Sequence, residues 1–348
     1  MTPLPAPDLA GLVSAPDLVT GFPFPFPQET SRYSTNVEPA PAAVPTPAGQ
    51  WGDAVVVIDS EYHHELTERA AILARDPSRY AFLPHMDVAC WDAMLHLMRE
   101  LSLTRPDEMS LTVLDGGVRP RYRWRNDLLG IDHTFVLGDL AGLPAEPLAW
   151  IGAQVQEDVV LLDQRAGVLY GDAGLVTFAA DWSFGFDVGM TFLEIHGPVP
   201  RLHGEGVITR ANEFLKRLQP GECFRRTNWT LTVGRRLDVS TELYPEWGPD
   251  RDAVLLIDDE EFGRLVHLRV EVQHLIRLPE SGAVMFLIRS YLLPLVDLAR
   301  VDHWRVRTAD VLEELPQDMA DYKGVAKYRH RTAAWLRAHG PVTRNAGG

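Results

Sequence analysis

The 348 residues suffice for two average domains or one elaborated one, and a hydrophobic content of 46% is that of a globular protein able to bury a core. A formal charge of −15 argues against a nucleic-acid surface, which draws on clustered basic side chains, and favours solubility or a basic partner. The only cysteines, Cys90 and Cys223, exclude a disulfide framework and a four-cysteine iron–sulfur cluster on this chain.

No apolar run approaches the roughly 20 residues of a membrane helix. Met1 to Pro16 lacks the basic-then-apolar pattern of a signal peptide, so a cytoplasmic location is expected. Residues 1–50 hold many of the 26 prolines and read as an extended segment. Its alternating Phe22, Phe24 and Phe26 predict a stretch docked on the body of the protein. Ala54 to Ile58 is a short β-branched run, and Asp59-Ser60 then caps a helix over Glu61 to Ala74 with Tyr62, Leu66, Ala70 and Leu73 on one face. His63 and His64 are neighbours on that helix and point about 100° apart, which suits surface histidines better than one metal site. Asp87 to Leu101 predicts a second amphipathic helix, with Val88, Trp91, Leu95 and Met98 or Leu97 facing the core.

Residues 109–147 are mixed in pattern. Arg119, Arg121, Arg123 and Arg125 alternate with Tyr122 and Trp124, so the arginines share one strand face, a solvated one by default or a site for an acidic group. Ile151 to Leu162 reads as a strand carrying Gln156-Glu157-Asp158, followed by a turn at Arg165 to Gly167 and a strand near Leu175 to Ala179. A helix over Thr209 to Leu218 stops at Pro220-Gly221. Phe224 to Val233 is a further strand, Leu265 to Leu278 and Ala283 to Leu293 form a hairpin around Pro279 to Gly282, and Asp310 to Ala338 is a helical tail. Two strands, a helical excursion and three antiparallel strands is the element order of a PAS domain. The expected fold is therefore α+β: a PAS-like antiparallel sheet over 149–300, a helical N-terminal region over 51–148 packed on it, and a C-terminal helical tail over 301–348.

The stretch Phe192-Leu193-Glu194-Ile195-His196-Gly197-Pro198-Val199-Pro200 stands in the helical excursion. Gly197-Pro198 ends regular structure there, so the His196 imidazole sits at the end of an element among apolar neighbours. Such a histidine can ligate haem, or it can be a core histidine bonded to a backbone carbonyl. His203 is the nearest competing ligand and His274 a weaker one, while thiolate ligation would fall to Cys223. The alternate arginines around Arg121 would then be candidates for haem propionates.

At these residues the sequence resembles the haem-dependent oxidative N-demethylase alpha-subunit family. The resemblance rests on Ile58-Asp59-Ser60-Glu61-Tyr62 with Glu65 and Arg69, on Gln156-Glu157-Asp158, on Ile195-His196-Gly197-Pro198-Val199-Pro200 and on Arg226-Thr227-Asn228-Trp229. It continues in Arg269 to Pro279 and in Tyr322-Lys323-Gly324. It implies a haem b enzyme that uses reductant and O2 to oxidise the N-methyl group of a small amine such as dimethylamine. Separate subunits would carry FMN, a 2Fe-2S cluster and a tetrahydrofolate site, which agrees with the two cysteines here. The family's tract ahead of the histidine usually reads Pro-Ser-x-Trp with a lysine beyond, where this chain has Ala179-Ala180-Asp181-Trp182 and Asp187, and the usual Met-Gly-Leu segment upstream of Ile58 is missing. These departures bear on the substrate more than on the haem.

On this reading His196 is the proximal iron ligand, and Pro198 and Pro200 fix the loop that presents it. Arg226 and Asn228 share a strand face, as do Arg269, Glu271 and Gln273; an arginine or amide there could bond dioxygen, Arg269 could bind the cofactor, and the Glu271 carboxylate could hold an ammonium. The structural alternatives are an Arg269–Glu271 cross-strand ion pair and an Asn228 sheet bond. Glu157 and Asp158 are weaker candidates. An external electron donor or reductase subunit is implied. The competing function is a PAS-type gas sensor without turnover, but the chain has no recognisable output module; a cofactor-free structural subunit is the third possibility.

Overall fold

A computed structural model describes residues 18–26, 36–197 and 206–340. The strands, in chain order, are β1 (Glu38–Pro39), β2 (Val44–Thr46), β3 (Gly49–Trp51), β4 (Tyr80–Phe82), β5 (Met109–Asp115), β6 (Arg121–Asn126) and β7 (Ile131–Val136), then β8 (Asp158–Arg165), β9 (Val168–Leu175), β10 (Cys223–Val233), β11 (Val266–Arg277) and β12 (Val284–Pro294). Seven of them form one antiparallel sheet in the order β1-β10-β11-β12-β8-β9-β4. Within it the five strands from β8 onward lie in the spatial order 2-1-5-4-3 of their own sequence, with the helices Phe192–Ile195 and Val207–Arg217 between the second and third. The fold is α+β, and among the described residues no helix is long and apolar enough to cross a membrane.

The long hairpin is where the sequence is plainest. β11 and β12 alternate against both faces of the sheet, and Leu278 and Ala283 close the turn with a backbone bond of 2.9 Å. The shorter hairpin joins β8 to β9 through Ala166 and Gly167, both at positive φ (49° and 77°), the conformation of a type I′ turn. That turn forces the second strand to begin at Val168 rather than near Leu175. The strand expected from Ile151 begins only at Asp158, because Ile151 and Gly152 close a helix, α3 (Pro147–Gly152), whose first residue Pro147 presets helical φ. Among the described residues the run from Ala54 to Ile58 pairs with no strand: the Val57 N–H goes to Glu157 Oε1 at 3.1 Å, and just beyond the run the Asp59 N–H goes to Gln156 Oε1 at 3.2 Å.

Helix α1 (Tyr62–Arg75) lies where expected but without the expected Asp59-Ser60 cap: its N-cap is Glu61, with no side-chain capping bond, and Asp59 Oδ1 accepts the Glu61 N–H at 2.9 Å in the turn before it. Helix α2 (Asp87–Thr104) buries Trp91, Met94, Leu95, Leu97 and Met98 against the sheet, whereas Val88, in the helix's first turn, is exposed. Residues 51–148, expected to be helical, also hold the β5–β6–β7 meander and β4, so that region carries strand as well as helix. In the meander Tyr122 and Trp124 face the core, while the arginines of the opposite face pair with acids: Arg121 with Asp115, Arg123 with Asp132 and Arg125 with Asp127. They are a solvated strand face. His63 and His64 are exposed too. Phe22, Phe24 and Phe26 are buried, Phe24 stacking on Trp304 with ring centroids 5.1 Å apart, so the proline-rich segment docks on the C-terminal tail.

Candidate functional site

One face of the main sheet grades from apolar to charged along its strands. Direct cross-strand partners point the same way, so Phe224, Leu275, Phe286 and Val160 form one row, Arg226, Gln273 and Ile288 the next, and Asn228, Glu271 and Ser290 the third. The apolar row packs with Phe192, Phe214 and Leu215 of the helical excursion. Gly174 lets the excursion approach, since a Cβ there would lie 2.6 Å from the Phe184 ring.

His196 follows the Phe192–Ile195 helix, whose Thr191 and Glu194 form a capping box. Its Nδ1 lies 2.8 Å from the Phe192 carbonyl and its ring 4.3 Å from the Phe192 ring. Among the described residues Nε2 has no hydrogen-bond partner. Burial, with the charge of Arg226 nearby, pushes the imidazole down to about 4, so it is neutral at ordinary pH. One nitrogen anchored to a carbonyl and the other carrying a lone pair is the form a histidine ligand takes. Pro198, Pro200 and His203 lie outside the described residues.

The polar rows converge on Glu271. Its Oε2 accepts N–H groups from Gln273 at 3.0 Å and Asn228 at 3.3 Å, and its Oε1 is 3.5 Å from Arg269 Nε. Asn228 therefore makes the expected sheet bond, whereas the Arg269–Glu271 pair runs along one strand, β11, and not across two as expected. Arg269 is fully buried and donates also to the carbonyls of Leu237 and Phe178 and to Ser290 Oγ at 2.9 Å. With Nη1 and Nη2 committed in this way, its guanidinium is fixed and faces Glu271 as an ion pair through Nε. Arg226 and Asn228 are half-buried.

Sequence reasoning assigned no role to Lys323, which the structure brings to this face. Its Nζ donates to the Trp229 carbonyl at 2.7 Å and to Asn228 Oδ1 at 3.3 Å, and Thr230 Oγ1 donates to its carbonyl at 2.9 Å. Gly324, at φ 65°, ends the helix there; a Cβ would strike Arg251. Burial pushes the ammonium down to about 8, with Glu271 opposing and Arg226 assisting. Its only sequence signal was the Tyr322-Lys323-Gly324 motif.

The other residues of the resemblance form a buried network beside this face. Arg69 donates to the carbonyls of Gly152, Val155 and Gln156, to Thr177 Oγ1 and to Asp158 at 2.9 Å, and Asp158 also accepts the N–H groups of Thr177 and Phe178. These bonds consume Asp158, which caps the strand rather than facing a pocket. Arg289 holds Glu65 at 2.7 Å and Asp59 at 2.6 Å. Glu157 is fully buried with Oε2 unpartnered, and burial pushes it up to about 7. A cavity of about 50 Å3, room for a water or two, lies beside Asp59, Glu65, Arg289, Ser290 and Tyr291.

His274 and Cys223 occupy the opposite face of the sheet from Glu271. Among the described residues neither His274 nitrogen has a hydrogen-bond partner, and burial pushes the imidazole down to about 4. The same cause raises the Cys223 thiol to about 12, which opposes thiolate ligation. In the tract that departs from the expected pattern, Asp181 pairs with Arg251 at 2.7 Å, and burial raises Asp187 to about 6.

Residues 48–333 match the family described as HODM_asu-like: haem-dependent oxidative N-demethylase, alpha subunit-like. That is a family of haem-dependent oxidative enzymes whose name marks a subunit of a larger assembly. Because the match covers most of its length, the chain belongs to the haem-dependent oxidative N-demethylase alpha subunit-like family.

Proposed function

We propose that this chain is the haem-carrying subunit of a monooxygenase that oxidises a small amine, with His196 as the proximal iron ligand in a PAS-like core. The strand order 2-1-5-4-3 with the helical excursion after its second strand supports the PAS-like reading. The observation that carries the proposal is the neutral His196, its Nε2 free of described partners, beside a sheet face that turns from phenylalanines to Glu271. A macrocycle with apolar faces and charged edges suits such a gradient, so the residues fit haem b. Haem, when bound, supplies the redox chemistry that activates O2.

The chain's own residues bind and orient. The Phe192 carbonyl fixes the His196 tautomer by accepting from Nδ1–H, which leaves Nε2 for iron. Phe192, Phe224 and Phe286 keep water from the apolar side. Arg226, whose charge bears on His196, is the residue for propionate or dioxygen. Glu271, held by Asn228, Gln273 and Arg269, accepts the N–H of a secondary ammonium such as dimethylammonium. Lys323 sets the charge beside it and, while protonated, weakens the hold on that ammonium. Electrons come from partner subunits or an external donor; FMN, a 2Fe-2S cluster and tetrahydrofolate belong to those partners. A cytoplasmic location belongs to the same reading.

The test is a spectral titration of the ferric, haem-reconstituted full chain with methylamine, dimethylamine and trimethylamine. A saturable Soret shift that is largest for the secondary amine is expected. Absence of any Soret band with added haem would refute the haem reading; a Soret band indifferent to every amine would refute the substrate reading alone.

A further inference from the structure

We propose that His85, Asp163 and Asp172 form a divalent-cation site, for Mn2+ or Zn2+, that staples the segment before α2 to the β8–β9 hairpin. His85 stands in the short turn Pro84–Met86, Asp163 on β8 and Asp172 on β9. Asp172 is the extra residue of a β-bulge: Leu161 faces Ala173 and Leu162 faces Gly171, leaving Asp172 unpaired and re-aimed. The neighbouring backbone is fixed, as Leu83 N–H donates to the Asp172 carbonyl at 2.8 Å.

The donor atoms already stand as ligands do. His85 Nε2 is 2.8 Å from Asp172 Oδ2 and 3.7 Å from Asp163 Oδ2, and all three lie within 4.8 Å of one another. Bonds of about 2.0–2.2 Å to a tetrahedral ion place ligands about 3.4 Å apart, which falls within that spread. One imidazole and two carboxylates are a borderline-hard set suited to Mn2+ or Zn2+, with solvent completing the coordination on the half-exposed His85 side.

Two observations beyond the cluster point to a cation. Asp172 is fully buried, and although its Oδ2 meets Arg165 and His85, its Oδ1 has no partner among the described residues, which is unfavourable for a carboxylate unless strong positive charge neutralises it. The second is a proton conflict at His85. Arg165 Nη1 lies 2.9 Å from His85 Nε2 and 2.6 Å from Asp163 Oδ2 and also meets Asp172 Oδ2. One ring nitrogen cannot donate to Asp172 and accept from Arg165 together. A metal ion at the point held by Arg165 Nη1 removes the conflict, because it accepts a lone pair from all three. Arg165, exposed and lying over the Tyr170 ring at 4.0 Å, then swings out to solvent. It is the built-in competitor of the ion.

The test is isothermal titration of the full-length chain with Mn2+ and with Zn2+, comparing wild type, Arg165→Gln and the double variant Arg165→Gln/His85→Gln. Removing the competing guanidinium should tighten binding of one ion about tenfold or more, and His85→Gln should abolish the gain. Metal should also raise the Tm of Arg165→Gln and leave the double variant unmoved. A folded Arg165→Gln protein that binds no better than the double variant overturns the proposal, and Arg165 is then the resident cation. If Arg165→Gln fails to fold, the same titration of wild type against His85→Gln decides: equal binding overturns the site, and loss in the variant supports it.

Discussion

The Lys323 ammonium lies 3.3 Å from Asn228 Oδ1, so the C-terminal tail ends its reach inside the sheet face that carries Glu271. Asn228 is thereby shared: its oxygen takes Lys323 and its nitrogen donates to Glu271 at 3.3 Å. The electrostatics of the site thus depend on a residue far along the chain from either strand.

If Glu271 holds the amine, Glu271→Gln should weaken amine binding by about ten- to a hundredfold, the usual worth of a charge-assisted hydrogen bond. Burial pushes the Lys323 ammonium down to about 8, so amine affinity in wild type should rise as pH passes upward through that value and the neighbouring positive charge is lost. Lys323→Met should bind amine more tightly at neutral pH and lose that rise. Spectral titration across pH measures both, and an unchanged Glu271→Gln affinity would remove Glu271 from the substrate site.

Glu157 bears on stability rather than binding. Its pKa is raised in the fold from 4.5 to about 7, so the fold favours the protonated form, and this contribution is present below pH 4.5 and lost as pH rises through about 7. Glu157→Gln keeps an acceptor for the Val57 N–H and cannot ionise. Relative to wild type it should gain roughly 3 kcal/mol between those limits. Urea denaturation on either side of the window measures the gain; a pH-independent difference would contradict the account.

His274 works in the opposite sense. Its pKa falls from 6.5 to about 4 in the fold, so its contribution is full above 6.5 and is lost as pH falls through about 4, by about 3 kcal/mol in all. His274→Leu removes two unpartnered buried nitrogens and should be neutral or stabilising at pH 7 and clearly stabilising in acid. Thermal melts across the window check it.

The docked N-terminal segment predicts a core mutation outside the family match. Phe24→Ala removes a ring stacked on Trp304 and set edge-on to Phe26 at 5.4 Å, and should destabilise the protein by about 3 kcal/mol or more in urea denaturation. A change within error would mean that residues 18–26 add nothing to the core.

Local signals in the sequence carried much of this far. Alternation along β10 to β12 and the Pro279 to Gly282 turn placed Glu271 with Gln273 and Arg226 with Asn228 on shared faces, and Gly197-Pro198 placed His196 at an element's end. Long-range convergence was not legible: nothing near Lys323 says that it meets Asn228. The buried bonds of Arg69 were equally hidden, as was the arrest of the 54–58 run by acceptors from Gln156 and Glu157. The register of β9 was misplaced because it depends on positive φ at Ala166, a residue that seldom adopts it.

The central claim is that His196 carries the iron. The most direct measurement is the absorbance spectrum of His196→Ala beside His274→Leu, each purified with added haem and compared with wild type. The account predicts that His196→Ala loses haem or shows a displaced Soret band, while His274→Leu keeps both content and band. A His196→Ala protein with full haem and an unchanged Soret band would contradict it.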